Sequence, residues 1–264
     1  MTDPSEPDPT YRDELRRWVP DLAGFQVTTG VCDALAPGSS PIGLKLFAEG
    51  NLNKRREKLW AQLESVAEAF DDLEDLVSAY VRSVPPVAYD VTVSDCARFL
   101  SWLERTGELT PRQRDYVACQ QARLTVEAAA RAARPGHLCF QKLWSQFPQL
   151  PAVLDAPPDL RVYLNPIRAW SQFATTALLD DDAILPADVL FFAAGEEIRT
   201  AVLDPHGREL VEELASCGPC TLDDWASLSR HADREELVTL CRDLAEMGLV
   251  AFVSQPDEFA TDHF

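Results

Sequence analysis

Cys217-Gly218-Pro219-Cys220 is the stretch of this chain whose residue types and spacing most directly spell a reaction. In a thioredoxin-like site, two cysteines three positions apart place a low-pKa nucleophilic thiol at a helix N-terminus, with a resolving thiol behind it. Such a site follows a buried central strand of a βαβ unit, whereas here a helical pattern over 206–216 precedes the motif. The other reading is a corner between two helices. Gly218-Pro219 turns the chain, Thr221 caps the next helix, and Asp223 and Asp224 fall in its first turn, where the helix dipole favours negative charge. The context favours the corner, with a disulfide only as an incidental product of oxidation.

The remaining reactive residues are scattered. His137, His206, His231 and His263 are isolated, and none pairs with a cysteine or another histidine at zinc-ligand spacing. His137 and Cys139 sit beside a Pro-Gly break and read as a structural turn. Asp180-Asp181-Asp182 lacks the turn glycine and distal glutamate of a calcium loop and reads as a solvated loop. Asn53-Lys54-Arg55-Arg56 is the compact basic cluster; it opens an amphipathic helix, as a solvated face or as a docking patch. There is no glycine-rich phosphate loop, nucleophile elbow or triad. No catalytic residue, metal ligand or cofactor site is therefore assigned to this chain.

Composition narrows the class further. The 264 residues carry 24 basic and 43 acidic side chains, a net charge of -19, which repels phosphate backbones and argues against nucleic-acid partners. It suits a basic peptide. No apolar run approaches the roughly 20 residues of a bilayer span, so no membrane association is expected. The seven cysteines, odd in number and spread through helical patterns, do not form a disulfide framework and predict a cytoplasmic protein.

These residues require elements to hold them. Positions 1–10 read as a disordered tail and 254–264 as a flexible one. From 11 to 150 the pattern is helical. Leu59, Leu63, Val66 and Phe70 share a face, as do Leu76, Val77, Tyr80 and Val81 before Pro85-Pro86. Ser94 caps a helix carrying Cys96, Phe99, Leu100 and Leu103 that ends at Gly107. Thr110-Pro111 opens another that runs to about Arg134, with Pro135-Gly136 as its stop. Trp60, Trp102, Trp144 and Phe147 are expected in the core. The proline-rich stretch 146–158 predicts a linker. A second domain, 157–253, follows: strand-like runs at 160–173, 189–193 and 198–203, a hairpin turn at 194–197, and helices over 206–216, 221–230 and 233–247. Gly248 ends the last helix and 249–253 closes a sheet. The fold class is α+β, an all-α domain followed by a winged-helix-like module.

Two stretches resemble one family. Leu46-Phe47-Ala48-Glu49-Gly50-Asn51, the run 59–70 and the segment 73–104, with Tyr80, Pro85, Pro86, Phe99 and Leu100, are similar to the helical domain of partner proteins of multinuclear non-haem iron-dependent oxidases. The family's acidic residue after Ala122-Arg123-Leu124 is Thr125 here, and 22–41 departs from its commoner members. The segment from about 160 to 253, with Leu203-Asp204-Pro205 and Thr221-Leu222, is similar to recognition elements that bind leader peptides of ribosomally synthesised, post-translationally modified peptides. The resemblance implies a non-catalytic accessory subunit in a heterodimer. The oxidase partner would hold the iron and modify a peptide cysteine, and this chain would supply the precursor peptide. Among such partners, the chain is similar to the one serving cysteine-to-thiaglutamate chemistry on a carrier peptide, with methanobactin-type and bufferin-type partners as the alternatives.

Such modules bind leaders by adding a strand to a sheet edge beside the last helix. The expected peptide site is therefore Ile198, Arg199, Thr200, Ala201, Val202 and Leu203, packed against Leu237, Cys241 and Leu244, which recur at helical spacing; the same three would equally serve as core. A winged-helix DNA-binding regulator is the rival from another class, but Thr221 to Arg230 sets one basic residue against Asp223 and Asp224. A CxxC thiol-disulfide oxidoreductase is the third reading.

Overall fold

The computed structural model describes residues 41–84, 93–146, 160–229 and 232–253, and it is a mixed α+β protein. The tails expected at 1–10 and 254–264, Pro85-Pro86, Phe147 and nearly all of the 146–158 linker lie outside these residues. The chain divides into two compact units, one ending at Val117 and the other starting at Ala118.

The first unit is helical: α1 (Pro41–Gln62), α2 (Glu64–Ala67), α3 (Leu73–Ser83), α4 (Asp95–Thr106) and the start of α5 (Pro111–Ala132). Leu73, Val77, Tyr80 and Val81 of α3 and Cys96, Phe99, Leu100 and Leu103 of α4 are buried, because spacings of three and four put them on one face. Ser94 Oγ accepts from Ala97 N at 3.1 Å, and α4 ends at Gly107. Thr110 opens α5 with a reciprocal cap, Gln113 N to Thr110 Oγ1 at 3.3 Å and Thr110 N to Gln113 Oε1 at 2.9 Å. Trp60, expected in the core, is exposed.

The unit boundary falls inside α5, because Ala122 and Val126 pack with the sheets that follow. Pro135-Gly136 does not stop the chain's helical course. A single residue after α5, α6 (Arg134–Trp144) begins with proline in its first turn, where the missing N–H has no helical partner to lose. His137 and Cys139 thus lie in a helix, not a turn.

The strand-like run 160–173 splits into β1 (Arg161–Leu164) and β2 (Arg168–Phe173), which join different sheets. The break is held by Asn165, which is wholly buried: Nδ2 donates to Ala193 O at 2.7 Å and Gly248 O at 3.2 Å, and Oδ1 accepts from Ile167 N at 2.9 Å. Then come β3 (Ala187–Ala194), β4 (Glu197–Leu203), α7 (Pro205–Cys217), β5 (Cys220–Thr221), α8 (Leu222–Leu228), α9 (Arg234–Met247) and β6 (Val250–Val253). One antiparallel sheet has the order β5-β1-β6, the other β2-β3-β4. Side chains alternate along β3. Leu190, Phe192 and Ala194 enter one core with α7, α8 and α9, and Val189, Phe191 and Ala193 enter another with α5.

Candidate functional site

The hairpin between β3 and β4 decides what β4 offers. Ala194 faces Glu197 across a two-residue loop, and Gly195 supplies the left-handed φ of 67° that such a turn needs. In an antiparallel ladder, directly opposed residues alternate between exchanging both hydrogen bonds and exchanging none. Counting from the closing pair, Glu197, Arg199, Ala201 and Leu203 bond inward to β3. Ile198, Thr200 and Val202 therefore direct their N–H and C=O groups away from the sheet. β4 is an edge strand, and no described residue supplies those groups with a backbone partner. Thr200 is exposed, and so is Val202, at 54 % despite its apolar side chain.

Two contacts tie the ends of helix α9 to β4 and to the start of α7. Arg199 Nη1 donates to Met247 O at 3.2 Å at one end, and His206 Nε2 lies 3.3 Å from Glu236 Oε1 at the other. Glu236 and Met247, the α9 residues in those contacts, share one side of the helix with Leu240 and Asp243, at spacings of four, three and four. Glu236 and Asp243 are exposed, Leu240 and Met247 half-buried. The helix residues expected to line the groove stand elsewhere. Leu237 (0 % exposed), Cys241 (0 %) and Leu244 (1 %) are in the core beneath, with Ala201. The apolar face is the one folding buries, so residues left at an edge belong to its flank. Burial also pushes the Cys241 thiol up, as does neighbouring Cys220. Arg199 is exposed, lies over the Trp144 ring at 5.8 Å and is 3.7 Å from Glu197 Oε2.

The Cys-Gly-Pro-Cys segment forms a corner. Cys217 ends α7, Gly218 takes φ 67°, and Cys220 pairs with Val162 across β5 and β1. Thr221 and Asp224 form a capping box on α8. The Cys220 thiol is pushed up to about 11 by burial and by Cys217 and Asp224, the reverse of an activated thiolate. Asp180, Asp181 and Asp182 are exposed in the loop before β3. Among the described residues, no group of three or more His, Cys, Asp or Glu side chains is placed to hold a metal ion, and no helix is long and apolar enough to cross a membrane.

In the helical unit, Arg55 is committed internally. Its Nε donates to Asp95 Oδ2 at 2.6 Å, Nη2 to Asp95 Oδ1 at 2.8 Å and Nη1 to Val84 O at 2.6 Å, and its guanidinium lies 4.9 Å from the Tyr80 ring centre. Tyr80 Oη donates to Asp95 Oδ1 at 2.9 Å. Burial alone would raise the Asp95 carboxyl, but the Arg55 hydrogen bonds and charge hold it below its ordinary value. Tyr80 is pushed up to about 12 by burial and then by Asp95. Tyr80 is wholly buried in this network with the Phe99 ring 5.2 Å from its own, and Leu100 is wholly buried in the same unit. Nothing in the sequence pattern joins Arg55 to Asp95, 40 positions apart. The chain matches no protein-family model and no curated protein.

Proposed function

We propose that this chain is a non-catalytic accessory subunit that binds an extended segment of a ribosomally made precursor peptide and presents it to an iron-dependent oxidase, which modifies a peptide cysteine. The peptide adds a strand to β4. The observation that carries this reading is the β4 edge itself: Ile198, Thr200 and Val202 direct their backbone N–H and C=O groups away from the sheet. Strand addition satisfies such groups whatever the peptide's sequence. The order β3-β4 hairpin, α7, β5, α8, α9, β6 supports the reading as a winged-helix-like recognition element, and the resemblance of 73–104 to oxidase partner proteins supports the second half. The DNA-binding alternative draws no support, since α8 and α9 expose Asp223, Glu235, Glu236 and Asp243.

Peptides selected from a random phage-displayed library on the full chain test the first half. Thr200→Pro deletes one outward donor, and we expect it to weaken those peptides roughly tenfold or more with the thermal melt preserved. Saturating peptide should also slow hydrogen exchange at the Ile198, Thr200 and Val202 amides of the unaltered chain. Undiminished affinity in the folded variant, or unprotected amides, overturns strand addition. For the second half, co-purification with an oxidase of that family encoded beside this chain is expected. An oxidase fully active on its peptide without this chain overturns it.

A further inference from the structure

We infer that the peptide taken at β4 is cationic, with apolar and basic side chains alternating along the row that faces α9; this rests on the strand-addition reading above. The side of α9 that carries the Arg199 and His206 contacts reads Met247, Asp243, Leu240, Glu236 from the Arg199 end to the His206 end. At a rise of 1.5 Å per residue, these four side chains span roughly 16 Å. Every second residue of an added strand advances about 6.8 Å, so three or so peptide side chains meet the row.

The half-buried Leu240 and Met247 offer apolar contact. Exposed Asp243, without an ion-pair partner among the described residues, and Glu236, whose described partner is His206, offer negative charge. The carboxylates stand between and beyond the apolar positions. The three or so peptide side chains that meet the row therefore have to alternate, apolar opposite Leu240 or Met247 and basic opposite Asp243 or Glu236. Glu196 and Glu197 at the hairpin end extend the same sign, and Arg199 there is already engaged by Met247 O and Glu197. An acidic peptide row would set like charges together at about two positions, which costs affinity at each.

The test uses the full chain and two labelled synthetic peptides. One has the pattern Val-Ser-Lys-Ser-Val-Ser-Lys, and its counterpart has glutamate for lysine. At low salt the cationic peptide should bind roughly tenfold more tightly or better. The double variant Glu236→Gln, Asp243→Asn should remove most of that preference. The control pair Glu57→Gln, Glu108→Gln, which deletes the same charge on the helical unit, should retain it. Equal binding of both peptides, or equal losses in the two double variants, overturns the inference. Thr200→Pro separates the premises. Cationic binding that survives it overturns strand addition, whereas loss of both peptides there with no charge preference in the unaltered chain leaves strand addition standing and sinks the charge assignment.

Discussion

Replacing Asn165 by alanine should unfold the sheet-bearing unit at markedly lower temperature while leaving the helical unit unchanged. The side chain is wholly buried and makes three hydrogen bonds, to Ala193 O, Gly248 O and Ile167 N. Its own backbone N–H donates to Leu249 O at 2.8 Å, so this one residue joins the β1–β2 corner to β3 and to the start of β6. Alanine removes the amide and leaves two carbonyls and one N–H without it. Each orphaned buried group costs about 1–3 kcal/mol. Water entering the vacated space recovers part of that, so the net loss should be about 3–5 kcal/mol. For a unit of this size, each kcal/mol lowers the midpoint by about 2–4 °C, which puts the fall near 10 °C. Asn165→Asp keeps the acceptor but turns a carboxylate toward two carbonyls, and it should cost at least as much. The assay is hydrogen exchange read by mass spectrometry, with peptides from 160–253 reporting one unit and those from 41–117 the other. A loss below about 1 kcal/mol in 160–253 refutes the reasoning, because it would mean that the buried groups find other partners at little cost.

Two further outcomes follow from the titrating groups. Asp95 is held below its ordinary pKa, so its pairing contributes stability above the unfolded value of about 4 and loses it as pH falls through the folded value. The advantage of the unaltered chain over Asp95→Asn in thermal melts should therefore be full near neutral pH and shrink below about pH 4; an advantage independent of pH would contradict the ion pair. Cys220, pushed up to about 11 from an ordinary 9.0, should carry about a hundredfold less thiolate near pH 8 than an exposed cysteine. Timed alkylation followed by peptide mapping should label it last among Cys139, Cys217 and Cys220. Preferential labelling of Cys220 would revive a redox role.

Local signals carry most of the fold. Ser94, Thr110, Thr221 and Asp233 each cap a helix where the side chain demands it, and Gly248 ends α9 at a φ of 89°. The hairpin at 194–197 is legible from its glycine and the apolar runs around it. What escapes sequence reading is non-local. The two-residue β5 exists because Cys220 and Thr221 pair with β1, nearly sixty positions earlier. The division of 160–173 depends on partners for Asn165 that come from β3 and the end of α9. The Arg55–Asp95 pair is likewise invisible as a pattern. The candidate site divides in the same way. The edge strand is legible as the last strand before the helices, but the side of α9 that borders it is not. Periodicity finds the most apolar face, which goes to the core, whereas the contacts of Arg199 and His206 with α9 join residues far apart in the chain.

That division bears on how a peptide would be held. Three outward residues with one donor and one acceptor each give a peptide up to about six backbone hydrogen bonds, each contributing about 0.5–1.5 kcal/mol. Ordering about six peptide residues costs about 1–2 kcal/mol apiece. The two sums are of similar size, so backbone pairing at β4 fixes the peptide's path without by itself giving tight binding. Affinity has to come from side chains meeting Leu240, Met247, Asp243 and Glu236 on one side and the exposed Val202 on the other. An edge read in this way accepts many sequences weakly and retains those whose alternate residues suit the α9 flank. The proposed role, selecting one precursor among cellular peptides and releasing it to an enzyme afterwards, would need that combination of moderate affinity and side-chain selection.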